Sequence, residues 1–218
     1  MTDCTLTNLQ PGDSKLLDRG FLLPVMEMFY SIQGEGFNTG KPAAFVRIGG
    51  CDVGCHWCDV KESWNAALHP LTKTADIIDF VHAFPANAVV LTGGEPLKYK
   101  LDLLCDGLKD KGATIYLETC GAYSSTALFD WICLSPKKNL PPRQDMLERA
   151  DELKMIIHEE SDFKWAEKHA ALVHQECRLF LQPEWSQSGD MLPIIIEYVK
   201  QHPQWMVSLQ SHKFMNIP

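Results

Sequence analysis

The chain has 218 residues, 45 % hydrophobic and 22 % charged, enough to bury the core of one ordinary globular domain. Its formal net charge of −8 argues against broad contact with nucleic acid phosphates, which needs clustered Lys and Arg. No run approaches the roughly 18–20 consecutive apolar residues of a membrane span, and the opening "MTDCTLTNLQPGDSKLLDRG" lacks the pattern of a secretory signal. The sequence therefore reads as cytoplasmic, with no membrane and no nucleic acid partner.

In chain order, a polar N-terminal arm (1–20) precedes a single domain (21–218). "AAFVRIGG" (43–50) reads as a strand ending in glycines. "TKTADIIDFVHAF" (72–84) has helical spacing at Ile77, Ile78, Val81 and Phe84, with Thr74 as N-cap. "AVVLTGG" (88–94) is a buried strand, "YKLDLLCDGLKDKG" (99–112) a helix stopped by Gly112, and "ATIYLETCG" (113–121) a strand. A short helix is expected over 124–130, strands over 131–137 and 152–158, and a helix over 161–175. Strand, helix and strand follow over 177–184, 191–203 and 204–211.

Strand and helix alternating about six times imply an α/β fold with a parallel sheet. The continuous apolar strands fit burial on both faces. A complete eight-unit barrel needs roughly 250 residues, so the expectation is a partial, open (β/α) barrel with a reduced core. A doubly wound sheet is the alternative. In either, a site forms at the C-terminal ends of the strands. There the sequence places the cysteine loop, "TGGEP", "ETCG", "SPK", "QPE" and the final "QSHKFMNIP".

Eight cysteines is a high count, and without an export signal no disulfide framework is expected. Cys105 and Cys133 sit in apolar contexts and read as small buried hydrophobes. Cys51, Cys55 and Cys58 share one loop, "CDVGCHWCDV". A structural zinc site wants four protein ligands, commonly in two pairs. A redox pair of Cys55 and Cys58 leaves Cys51 unexplained. A [4Fe–4S] cluster, normally held by four thiolates, explains three: one iron is left for a substrate's amino and carboxylate groups.

The spacing Cys-x3-Cys-x2-Cys, with Trp57 before the last cysteine and "GGEP" after the next strand, is the pattern of the radical S-adenosylmethionine enzymes. Gly93 and Gly94 lack a Cβ, so backbone there can approach a ligand closely. "QGEG" alone reads as a polar turn between strands. Arg47, in an apolar strand, needs a partner, because a buried charge is costly unless paired. An anionic substrate would supply one, since guanidinium matches carboxylate bidentately.

From about Met26 to Pro218 the sequence resembles the 7-carboxy-7-deazaguanine synthases of that superfamily. The resemblance rests on "SIQGEG", "FVRIGGC", "CxxxCxWCD", "VVLTGGEP", "ETCG", "LSPK", "LQPE" and "QSHKFMNIP" in order. It implies a carbon–nitrogen lyase of the queuosine pathway. The reaction converts 6-carboxy-5,6,7,8-tetrahydropterin to 7-carboxy-7-deazaguanine with loss of ammonia. S-adenosylmethionine gives a 5′-deoxyadenosyl radical that abstracts hydrogen at C6. It further implies a [4Fe–4S] cluster on Cys51, Cys55 and Cys58, Mg2+, a homodimer, and an electron donor such as flavodoxin or ferredoxin.

Carried over by position, Trp57, Cys58, Asp59, Gly94, Ser135, Pro136, Lys137, Gln182, Pro183, Glu184 and Trp185 would contact S-adenosylmethionine. Ile32, Gln33, Gly34, Glu35, Arg47, Thr92 and Pro218 would contact substrate, Arg47 through its carboxylate and Pro218 with its own carboxylate. His212 and Lys213 would help shape a lid. One departure stands out. The family's magnesium-binding hydroxyl residue is here Val60, and valine cannot coordinate a hard cation. Weaker Mg2+ dependence is the expectation. The alternative function is a glycyl-radical-enzyme activase with a protein substrate, which would not need "QGEG" or "SHKFMNIP".

Overall fold

The computed structural model describes residues 12–218. Cys4 and most of the expected polar arm lie outside the described residues. The rest of that arm carries helix α1 (Asp13–Asp18).

The first strand, β1 (Leu22–Ile32), pairs antiparallel with β2 (Pro42–Ile48). A short β3 (Leu71–Lys73) closes the outer edge of β1. From β2 onward all pairings are parallel. They run through β4 (Ala88–Gly93), β5 (Thr114–Thr119), β6 (Trp131–Leu134), β7 (Glu152–Ile157), β8 (Arg178–Pro183) and β9 (Trp205–Val207). The order across the sheet is β3-β1-β2-β4-β5-β6-β7-β8-β9. Successive parallel strands are thus neighbours with no reversal of order, which is barrel-type winding. A doubly wound sheet would reverse direction at a switch point. The sheet keeps two edges, β3 and β9, so the barrel is open.

The helices are α2 (Thr74–His82), α3 (Asp102–Asp110), α4 (Gln144–Arg149), α5 (Asp162–Ala170), α6 (Ser188–Gln201) and α7 (Ser211–Met215). Period-2 alternation sends Val89 and Leu91 of β4 into the main core with Ile77 and Val81 of α2 and Leu104 and Leu108 of α3. Between them Val90 points to the other face, with Ala43, Phe45 and Ala88. Both faces are covered, so the strands read as unbroken apolar runs. Burying each such side chain contributes about 1.5–3 kcal/mol.

The helix expected over 161–175 ends at Ala170, and the strand expected over 204–211 ends at Val207, with α7 beginning at Ser211. Three further expectations change. Thr74 is not the cap of α2 but its first residue; Lys73 precedes it without a side-chain cap. The Thr74 hydroxyl instead donates to the Gly20 carbonyl at 2.5 Å, pinning the entry to β1. Residues 124–130 form no helix. Arg149, from α4, donates to the carbonyls of Ser125 (2.5 Å) and Ala127 (2.9 Å), taking acceptors a helix would use itself. Helix α6 begins at Ser188, ahead of the expected 191, because a 3-10 turn over Trp185–Gln187, capped by the Glu184 carboxylate, runs directly into it.

Candidate active site

A cavity of about 520 Å3 lies at the C-terminal ends of the parallel strands. That volume suits a small molecule. Cys51, Cys55, Trp57, Cys58, Asp59 and Val60 line one wall. Their loop is held by backbone bonds: Cys51 N–H donates to the Trp64 carbonyl and Gly50 N–H to that of Ser63. Asn139, just after "SPKK", donates from its amide to the Val53 (3.2 Å) and Gly54 (3.1 Å) carbonyls. His56 stays exposed, edge-on to Trp57 and His158.

Cys51, Cys55 and Cys58 line the same cavity. Three thiolates on one short loop fit a multi-iron cluster, whose thiolates each bind a different iron. Cys120 also lines the cavity, its backbone N–H donating to the Glu95 carboxylate at 2.8 Å; burial, then that carboxylate, pushes its thiol pKa up. Burial pushes Cys51 up to about 11 and raises Cys55 as well. Iron would reverse this, since a coordinated thiol is deprotonated.

The "GGEP" turn locks onto this loop. Gly94 N–H donates to the Ile48 carbonyl and Glu95 N–H to that of Gly50. The glycines answer to the chain itself. A Cβ on Gly93 would lie 2.1 Å from the Ile48 oxygen, and one on Gly94 2.5 Å from the Gly50 oxygen. Gly93 also has φ +134, a conformation side chains disfavour. Gly94 and Thr92 line the cavity. The Glu95 carboxylate is structural: buried, it accepts from Leu97 N–H (3.0 Å), the Thr119 hydroxyl (2.6 Å) and Cys120 N–H (2.8 Å).

"QGEG" is more than a polar turn. Ile32, Gln33, Gly34 and Glu35 line the cavity. The Gln33 amide donates to Glu118 at 2.9 Å and accepts from Glu35 N–H. Ser211 donates to the Gly34 carbonyl from both its N–H and its hydroxyl, 2.9 Å each. A Cβ on Gly34 would meet the His212 ring at 2.3 Å. So this turn and the C-terminal segment pack as one lip over the cavity. Pro218 lines the same rim, its main-chain oxygen accepting from the Ser31 hydroxyl.

Arg47 lines the cavity between Glu27 on β1 and Thr92 on β4, its register partners. Its Nε pairs with Glu27 at 2.6 Å. The partner its position demanded is therefore within the protein.

Beneath "QGEG" lies a buried charge network absent from the sequence reading. Lys154 on β7 pairs with Glu35 at 2.5 Å and Glu118 at 3.6 Å. Burial alone would raise the Glu35 carboxyl. The Lys154 charge, its hydrogen bond and those of Gln210 and Gln182 outweigh burial and hold it at about 2. For Lys154 burial works against the ammonium, but the surrounding acids, with Cys133, keep its pKa well above ordinary. Lysine in the apolar run "ELKMII" was the same signal that singled out Arg47.

Of the later strands, Ser135 and Lys137 line the cavity, while Pro136, expected with them, is buried and does not. The Lys137 ammonium donates to the Ser135 carbonyl (2.5 Å) and hydroxyl (2.6 Å) and lies 5.8 Å from the Trp57 ring. Gln182, Pro183, Glu184 and Trp185 complete the wall. The Gln182 side-chain amide oxygen accepts from the Ser208 hydroxyl at 2.7 Å. Lys213 and Gln210, from the C-terminal segment, both reach Asp59 at 3.3 Å.

No family model matches this chain. The 7-carboxy-7-deazaguanine synthase of Flavobacterium psychrophilum is 54 % identical over 202 residues, 93 % of this chain and 96 % of that protein. That of Synechocystis sp. is 43 % identical over 194 residues, covering 89 % and 93 %. That of Escherichia coli K12 is 32 % identical over 220 residues, covering 89 % and 98 %. Among solved structures, the crystal structure of QueE from Escherichia coli matches with a TM-score of 0.78 and 28 % identity, covering 93 % of this chain and 100 % of that one. The cysteine loop, the glycine turn and the lipped cavity therefore have a family: the chain belongs to the 7-carboxy-7-deazaguanine synthases.

Proposed function

We propose that the chain contracts the ring of 6-carboxy-5,6,7,8-tetrahydropterin to 7-carboxy-7-deazaguanine, releasing ammonia. The carrying observation is that "QGEG" and the cysteine loop, apart in sequence, wall the same cavity. When bound, the [4Fe–4S] cluster and S-adenosylmethionine supply the one-electron chemistry that begins hydrogen abstraction from the substrate. The protein binds, orients and excludes water.

Cys51, Cys55 and Cys58 hold the cluster. Trp57, Asp59, Gly94, Ser135, Lys137 and Gln182 to Trp185 form the cofactor's wall. Gln33, Glu35 and Thr92 face the pterin edge, and Arg47 takes its carboxylate with Glu27 fixing the guanidinium. Bidentate pairing of this kind sets orientation as well as affinity. Ser211, docked on Gly34, ties the substrate-side turn to the C-terminal segment. Such a lipped cavity supports a small molecule over a protein substrate. A homodimer, a flavodoxin- or ferredoxin-type electron donor and a cytoplasmic setting complete the reading. Among the described residues every cysteine is free and no helix is long and apolar enough to cross a membrane.

Anaerobic reconstitution tests the ligand assignment. The wild type should take up a cluster of four irons and give a reduced-cluster electron paramagnetic resonance signal. Cys51→Ala, Cys55→Ala and Cys58→Ala should each lose it. A colourless protein with tightly held zinc would refute the reading.

A further inference from the structure

Glu152, at the start of β7, is a buried carboxylate that neither the cysteine loop nor the cavity wall accounts for. It is 1 % exposed, and among the described residues Lys154 lines the cavity while Glu152 does not. A carboxylate taken this far out of water is costly unless donors satisfy it. Burial raises its pKa, opposed by the Lys154 charge and by the Trp131 and Phe37 donors.

Those donors identify what it holds. One oxygen, Oε2, accepts from the Phe37 main-chain N–H at 3.1 Å and from the Trp131 indole N–H at 3.0 Å. The other, Oε1, accepts from the Cys133 thiol at 3.6 Å. Phe37 directly follows "QGEG", and its ring stacks on Trp131 with centroids 4.5 Å apart. Gly36 packs against the same carboxylate: a Cβ there would overlap it, and φ is +64. The Gly36 N–H donates to the Ser208 hydroxyl at 2.9 Å.

The spacing matches on both sides. Glu152 and Lys154 stand two apart on β7 and share a face. Glu35 and Phe37 stand two apart in the turn. Lys154 takes the Glu35 side chain at 2.5 Å, and Glu152 takes the Phe37 main chain. Lys154 alone would fix one side chain. The second grip, on the backbone, fixes the turn's distance from β7, and with it how Gln33 and Glu35 face the cavity.

We propose that Glu152 is a positioning residue for the reaction: by its reach rather than its charge, it sets "QGEG" where Gln33 and Glu35 meet the pterin edge. The proposal rests on the pterin ring-contraction reading, so its test has an arm that needs no turnover. In the reconstituted protein, Glu152→Gln keeps the length and an oxygen for both donors, while Glu152→Asp keeps the charge and draws it back by one methylene. Glu152→Asp should raise KM for the carboxy-tetrahydropterin about 10-fold, as loss of one hydrogen bond to a charged group does. KM for S-adenosylmethionine and uncoupled cofactor cleavage should not change. Glu152→Gln should stay within about 3-fold of wild type, because its amide oxygen still accepts both bonds. In the second arm, amide hydrogen exchange without substrate should show the Phe37 N–H exchanging faster in Glu152→Asp than in wild type or Glu152→Gln. A merely structural residue would lower stability in both variants and leave the pterin KM alone. An unchanged pterin KM in Glu152→Asp, an equal rise in both variants, or an equal rise for the cofactor overturns the proposal. Should Glu152→Asp not fold, Trp131→Phe takes its place with the same split expected, since it keeps the ring stack and removes one donor from the carboxylate. Should wild type turn over no pterin, the ring-contraction reading fails, and exchange at Phe37 still decides whether Glu152 holds the turn.

Discussion

Single side chains decide how this cavity is charged. Arg47 stood out in the sequence because a cation in an apolar strand needs a partner, and Glu27 on β1 is that partner. The pairing is antiparallel and twenty residues away, so no local pattern could reveal it. If Arg47 also takes the substrate carboxylate, Arg47→Ala should raise KM about 100-fold, the loss of a charged bidentate contact, while uncoupled cofactor cleavage persists. Unchanged substrate binding by calorimetry would remove it from that role. Glu35 offers a pH test. Its carboxyl is depressed from an ordinary 4.5 to about 2. A depressed carboxylate contributes stability that is complete above the unfolded value and is lost as pH falls through the folded one. Wild-type stability should therefore fall between pH 4.5 and about 2, with a flatter slope in Glu35→Gln, measured by urea unfolding across that window. Equal slopes would mean that Lys154 does not hold Glu35 charged.

At the scale of elements, the strands and most helices were legible because apolar periodicity is local. Two of the failures share a cause: a partner arriving from far along the chain. Residues 124–130 carry helix-like composition, yet Arg149 takes the carbonyls of Ser125 and Ala127. Arg149→Ala should strand those acceptors and lower stability by about 2 kcal/mol, read from the denaturant midpoint. No change would mean that water satisfies them equally well. The lip is the other case. "QGEG" looked like a turn, but Gly34 has room only for hydrogen where the His212 ring passes. Gly34→Ala should loosen the C-terminal segment and reduce turnover far more than it reduces thermal stability. Proteolysis near α7 that is no faster than in wild type would contradict this.

For the whole molecule, alternation of strand and helix pointed to a parallel sheet, and chain length pointed to an open barrel. The strand order then shows why the scattered motifs meet: neighbours in sequence are neighbours in the sheet, so each strand end delivers its segment to one cavity. Motif spacing showed which segments carry chemistry. It could not show that Lys154 ties two of them together, nor that Lys213 crosses the cavity to Asp59, because both contacts form only when the sheet curves round the site. The central claim is tested most directly by anaerobic turnover of the reconstituted protein with S-adenosylmethionine, a reductant and 6-carboxy-5,6,7,8-tetrahydropterin, followed by mass and ultraviolet absorbance. The account predicts 7-carboxy-7-deazaguanine and ammonia in equal amounts; a reducible cluster that cleaves S-adenosylmethionine yet leaves the pterin unchanged would contradict it.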